Sequence, residues 1–469
     1  MKGFVPTPSN IVDLMVVKLF SNKIPQAGDI ILDPGCGTGA FIDGIIRWCQ
    51  KRKIGIPQII GVDSDPRHIA IAFEKYRSYP TVQIRKEDFL TSFSEKCDFI
   101  VGNPPYVPIT GLNVPEKDQY RKLFTTATGR FDLYFLFYEQ ALKCLKKNGK
   151  LVFITPEKYL YVKSATALRI LLWKHPVTEI HLLPEQTFGK LTTYPTVTTL
   201  HNGSSGKFTK IILRNGECKK VRLAHDGSSQ LPVIYGANDK KSGYCTLNDL
   251  CLRVSCGVAT GSDEVFVRKI NEIRYDLKKF AYPTIAGKQL SDTDTDLFTD
   301  EAMILPYNSE GRLIPENELG TLGNFLQTPG NHSRLLKRTC VVRKPWYAFH
   351  ETPPLQQILQ PKIICKDITG NPFFRVDATG ELIPRHSVYY IIPKEHEHLY
   401  LLNQYLNSDE VRYWLKANCH RAANGFLRLQ SSVLKKIPIP LSIFKEQSIC
   451  KGQGSISLYQ KESSGKITG

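Results

Sequence analysis

The 469-residue sequence carries 12 cysteines yet no Cys-x-x-C pair. Cys245, Cys251 and Cys256 come nearest to a cluster, and their spacing fits neither a zinc knuckle nor a zinc ribbon, so no metal is expected. The thiols read as the reduced cysteines of a cytoplasmic protein. No apolar run reaches the roughly 18 residues that a membrane-spanning helix requires. Folded-looking sequence begins within a few residues of Met1, so neither a signal peptide nor a membrane partner is expected. Acid is in deficit: 44 Asp+Glu against 62 Lys+Arg leave a formal charge of +18. That balance points to a polyanionic partner. The basic residues are spread along the chain rather than gathered in a tail, which suits a cleft across two domains better than a loose arm.

What is present begins with Phe4-Val5-Pro6-Thr7-Pro8 and an apolar-periodic helix from Ile11 to Phe20, with Ser9 or Asn10 as its expected cap. The strand Ile30-Ile31-Leu32 runs into Asp33-Pro34-Gly35-Cys36-Gly37-Thr38-Gly39 and a helix over 40–51. Glycines at a helix N-terminus let backbone approach a ligand closely. This loop is neither the Gly-x-Gly-x-x-Gly dinucleotide form nor a phosphate loop with its Lys-Ser/Thr. A second strand ends on Asp63, placed to bind both hydroxyls of a ribose. Asp65-Pro66 after it reads as a helix cap. A third strand leads to Asp88-Phe89, an acid and a ring suited to an adenine. The buried strand 97–101 then stops at Asn103-Pro104-Pro105-Tyr106. Two prolines set that backbone, an amide oxygen and a carbonyl can both accept from a planar amine, and Tyr106 can stack.

An aromatic helix over 132–146 and further strands near 151–154, 177–183 and 196–200 continue the alternation. The expectation is an α/β, doubly wound, mostly parallel sheet through 29–200. After Asn202-Gly203-Ser204-Ser205-Gly206 the alternation stops, and 246–440 reads as mixed α+β with a helix over 403–417. Four segments are expected: a catalytic domain over 1–203, a basic linker or strap over 204–245 whose run 207–222 reads as a hairpin or an inter-domain strap, a recognition domain over 246–441 and a disordered tail over 442–469.

Taken together these segments resemble the gamma-class N6-adenine DNA methyltransferases, the modification methylases of restriction systems. Thr7-Pro8 is similar to that family's N-terminal cofactor segment, Asp33 to Gly39 to its glycine loop, Asp63 to its ribose acid and Asp88-Phe89 to its adenine pair. Asn103-Pro104-Pro105-Tyr106 matches the catalytic signature in full. The resemblance implies the S-adenosylmethionine-dependent methyltransferase fold, with Thr7, Asp33, Gly35, Gly37, Asp63, Asp88, Phe89 and Phe137 at the cofactor. It implies duplex DNA as partner and a C-terminal target-recognition domain over 246–441. Val258-Ala259-Thr260-Gly261-Ser262, Trp346-Tyr347, Lys362-Ile363-Ile364 and 434–440 carry the looser C-terminal match. Asn103, Pro104, Pro105 and Tyr106 would act on a flipped adenine, with Phe188 as the second stacking ring and Tyr194 its rival. A separate cognate endonuclease is compatible with this reading; a fused nuclease is not expected. An RNA amino-methyltransferase is the main alternative, followed by a protein-glutamine methyltransferase. A non-enzymatic DNA-binding specificity subunit is the third, and the intact Asp33, Asp63, Asp88 and Asn103 set argues against it.

Overall fold

The computed structural model describes residues 5–189, 194–203, 208–236, 243–291 and 297–444. The chain divides into two units, residues 1–236 and 237–469.

The first unit is built on one sheet. Its strands are β1 (Ile30–Pro34), β2 (Gln58–Asp63), β3 (Val82–Lys86), β4 (Cys97–Gly102), β5 (Leu145–Pro156), β6 (Val177–Leu182), β7 (Pro195–His201), β8 (Thr209–Ile212) and β9 (Cys218–Val221). Their spatial order is β3-β2-β1-β4-β5-β7-β6-β8-β9. The first five strands run parallel, and β7 lies antiparallel between β5 and β6. Successive residues along a strand point to opposite faces, and both faces are covered. Ile31, Ile59, Phe99 and Val101 join the cluster under α1 (Ser9–Leu19) and α2 (Ala40–Arg52). Leu32, Ile60, Ile100 and Phe153 join the other. That second cluster is covered by α4 (Val114–Leu123), α5 (Leu133–Cys144) and α6 (Thr166–Trp173), while α3 (Pro66–Tyr76) follows β2. The doubly wound fold is therefore observed.

The described part of the basic run, read as a hairpin or a strap, is not a strap: β8 and β9 form a hairpin whose first strand pairs in parallel with β6. Alternation explains this, because Thr209 and Ile211 are buried while Lys210 points out to Glu179 at 3.2 Å. The lysines mask a strand period. Nor does a Ser9 or Asn10 side chain cap α1; the Pro8 carbonyl accepts from the Ile11 and Val12 N–H groups at 3.0 Å instead.

The second unit has several small sheets. Cys251–Cys256, Val388–Pro393, Lys362–Lys366 and Phe374–Asp377 form one antiparallel sheet in that order. Val267–Lys269, Glu301–Ile304, Ala281–Ile285 and Ile383–Pro384 form another. Tyr244–Thr246 pairs with Pro438–Pro440, closing the unit end to end. The helix expected over 403–417 is two, Leu399–Leu406 and Asp409–Asn418, because Ser408 starts a new helix by accepting from Val411 N–H at 3.4 Å. The unit has its own hydrophobic clusters. Of the expected tail, all but 442–444 lies outside the described residues. No helix among the described residues is long and apolar enough to cross a membrane.

Candidate active site

The turns after β1, β2, β3 and β4 meet at one edge of the sheet, as ligand sites in open α/β sheets do. After β1 the backbone curls inward, so that the Gly35 and Cys36 N–H groups donate to the Val62 carbonyl at 2.7 and 2.9 Å. Gly39 starts α2 at φ +93, where a Cβ would lie 2.3 Å from the Tyr76 hydroxyl. Only glycine fits there. At the end of β2 the Asp63 carboxylate accepts from Gly37 N–H at 2.9 Å and from Asp65 N–H at 2.8 Å. Backbone donors thus fix Asp63, with His68 Nδ1 at 3.5 Å. Asp65 caps α3 through Arg67 N–H at 2.9 Å, as its sequence context implies.

A cavity of about 430 Å³ opens at this edge. Of the residues singled out in the sequence, Gly35, Asp63, Asp88, Phe89, Asn103, Pro105 and Phe137 line it. Phe89 and Phe137 are packed at a 5.3 Å centroid separation. Asp88 holds its own turn by accepting from Leu90 N–H at 2.9 Å.

The remaining predicted residues stand behind the lining. Asp33 is fully buried, with neither carboxylate oxygen hydrogen-bonded. Burial, with the charge of Asp63 second, pushes its carboxyl well above the usual range. Gly37 serves Asp63. Pro104 bridges Asn103 and Pro105. Thr7 reaches the site through Asn103, whose Nδ2 donates to Val5 O at 2.9 Å and Thr7 Oγ1 at 3.1 Å. The Tyr106 hydroxyl donates to Asn103 Oδ1 at 2.6 Å, with the Ile154 carbonyl at 3.3 Å. Phe188 is buried in the cluster beneath α1 and α2. Tyr194 is half-buried, with the Arg214 guanidinium 5.0 Å over its ring; residues 190–193 between them lie outside the described residues.

The opposite wall was missed in the sequence. Leu112, Asn113, Glu116 and Tyr120, on α4 and the turn before it, line the cavity, as does Glu87. The missed signal was Asn113-x-x-Glu116, a capping box: Glu116 N–H donates to Asn113 Oδ1 at 2.9 Å, and Asn113 N–H to Glu116 at 2.8 Å. Burial, then the charges of Asp88 and Glu116, pushes the Tyr120 phenol up to about 12. At the start of α5, burial raises the Asp132 carboxyl to about 6. Among the described residues, Asp63, Glu87, Asp88 and Glu116 face the cavity and no Lys or Arg does. A strongly basic chain has therefore built an acidic pocket.

Comparison with known proteins agrees with this arrangement. Residues 51–188 match the Eco57I restriction-modification methylase family, and 310–439 match the TaqI-like C-terminal specificity domain. The chain is 24% identical over 503 residues to the type II methyltransferase M.PaeR7I of Pseudomonas aeruginosa, covering 94% of this chain and 86% of that protein. It is 30% identical over 301 residues to the modification methylase CviBIII of Paramecium bursaria Chlorella virus NC1A, covering 62% and 71%. Among solved structures, the type IIL restriction-modification enzyme MmeI in complex with DNA superimposes with a TM-score of 0.63 at 13% identity, over 96% of this chain and 70% of that one. That last likeness is one of fold. The chain belongs to the type II modification methyltransferases of restriction-modification systems.

Proposed function

We propose that the protein transfers a methyl group from S-adenosylmethionine to N6 of a flipped-out adenine at a specific site in duplex DNA, protecting that site from a cognate restriction enzyme. The observation that carries this is the tethering of Asn103. An amide nitrogen has two hydrogens, and Val5 and Thr7 take both. The side chain can then offer a ligand only its oxygen, and the Tyr106 hydroxyl fills one of that oxygen's two acceptor positions. What remains is an acceptor facing the cavity beside the Pro104 carbonyl, a pair suited to the two hydrogens of an exocyclic amine.

The acidic lining supports the choice of cosubstrate. Phosphates would be repelled by four carboxylates with no compensating cation, whereas the hydroxyls and amines of an adenosine, and a cationic sulfonium, would be welcome. Asp63 would accept from ribose hydroxyls, Asp88 from the adenine amine, and Phe89 with Phe137 would pack on its ring. The buried, unpartnered oxygens of Asp33 lie behind Gly102, where a Cβ would stand 3.3 Å from Oδ1; they suit a cationic ligand approaching over the glycines. S-adenosylmethionine supplies the electrophilic methyl carbon when bound.

The adenine amine is a poor nucleophile because its lone pair is delocalised into the ring. Hydrogen bonds to Asn103 Oδ1 and the Pro104 carbonyl localise that pair and aim it, and alignment supplies much of the rate. The surplus proton leaves after transfer. Extruding the base costs a few kcal/mol, offset in part by stacking on Tyr106 and on Phe188 or Tyr194. The test is methyl transfer from labelled S-adenosylmethionine to duplex DNA, tRNA and total protein in parallel. N6-methyladenine in DNA alone is the expected result; label in RNA or protein, or N4-methylcytosine in the DNA, overturns it.

A further inference from the structure

No acidic residue occurs between Glu318 and Glu351, a stretch inside the specificity-domain match. Within it the helix Pro329–Leu336 leads to a short turn, Thr339–Val342. Arg338 points inward: Nε donates to the Leu335 carbonyl at 3.1 Å, Nη1 to Thr260 at 2.8 Å and Nη2 to Trp346. Its guanidinium stands 5.6 Å from the Phe266 ring. Cys340 is buried, and its carbonyl accepts from both Arg343 and Lys344 N–H at 3.0 Å. Lys344 turns back to the His350 carbonyl at 2.9 Å. The turn is thus braced from below at three points.

What it presents outward is unusual. Val342 is 89% exposed. Lys337 and Arg343 beside it are exposed and have no ion-pair partner among the described residues, whereas nearby Arg334 is paired with Glu264 at 3.1 Å. A loose loop could expose a valine by accident, but here a braced turn holds it out, with Arg343 next to it and Lys337 at the end of the helix that leads in. A duplex satisfies all three side chains at once, because phosphates take the cations and base edges offer apolar surface such as the thymine methyl.

We infer that Lys337, Val342 and Arg343 form a duplex-DNA contact of the specificity domain, the cations on backbone phosphates and Val342 against base edges. This rests on the reading of DNA as substrate. Each lost phosphate contact should flatten the plot of log affinity against log salt by roughly 0.9. The experiment measures binding of a duplex carrying the modified site across a salt series, for wild type, K337A/R343A, R343E and V342S, with the circular dichroism spectrum and thermal melt of each variant as the control on folding. The double variant should bind about tenfold more weakly, with a slope shallower by roughly 1.8. R343E, which replaces an attraction by a repulsion, should also bind more weakly than wild type. V342S should keep the wild-type slope but discriminate less between the site and a one-base variant of it. A wild type that methylates the duplex, with K337A/R343A and R343E binding like wild type, overturns this inference alone. Unchanged discrimination in V342S removes Val342 from the contact. A wild type that labels no DNA overturns the functional reading and this inference together.

Discussion

The two units of the chain are held together in different ways. In the first, Gly35, Asp63, Asp88 and Asn103 of the cavity each sit at or just past the end of a strand, and β1 to β5 are parallel neighbours in one sheet. In the second, small sheets pair segments far apart in sequence, such as Cys251–Cys256 with Val388–Pro393 and Tyr244–Thr246 with Pro438–Pro440. Local order makes a site readable, whereas long-range pairing hides it. The two units also keep separate cores: no residue of the second unit belongs to the clusters of the first.

That separation can be tested at its strongest point. A fragment of residues 1–236 should bind S-adenosylmethionine within about threefold of the whole chain yet transfer no detectable methyl to DNA; a fragment that cannot bind the cosubstrate would show that the first core is not self-sufficient. Next in size, Asn103→Ala should lower kcat by 10²- to 10³-fold or more, the scale of losing one positioned hydrogen-bonding group, with cosubstrate affinity nearly unchanged. Equal loss of both would make Asn103 a structural residue. Asp88→Ala should do the reverse, weakening cosubstrate binding by roughly tenfold or more, as expected for a charged hydrogen bond, while kcat at saturation changes little.

A smaller effect concerns stability. The Asp132 carboxyl titrates near 6 against an ordinary 3.8 because it is buried. The folded state therefore holds its proton more tightly than the unfolded state, and stability falls as pH rises from about 4 to 6. At about 1.4 kcal/mol per pKa unit the cost at pH 7 is on the order of 3 kcal/mol. Asp132→Asn should raise the melting temperature above pH 6 and flatten its dependence on pH between 4 and 6. A melting curve that tracks the parent at every pH would remove Asp132 as the source.

Much of the fold and part of the site were legible in the residues themselves. Asp63 and Asn103 stand in the cavity because each ends or follows a strand whose apolar run is unmistakable, and Asp88 and Phe89 because they follow the alternating strand Val82–Lys86. The α4 wall left no periodic signal in the sequence, since its single buried residue, Tyr120, leaves no apolar stripe. The hairpin of β8 and β9 could not be told from a strap in the sequence, because lysines occupy outward positions of both strands. Asp33 illustrates a third limit. Its place in the glycine loop is plain in the sequence, but its burial depends on Gly102 and Asp63, which arrive from other strands.

The tether on Asn103 has a practical consequence. The orientation of this amide is held by Val5 and Thr7, at the very front of the chain. A protease that trims through Thr7 would remove both acceptors and leave the Asn103 amide free to rotate. Loss of activity on storage should therefore be checked against the mass of the peptide that carries Val5 and Thr7 before any other cause is sought.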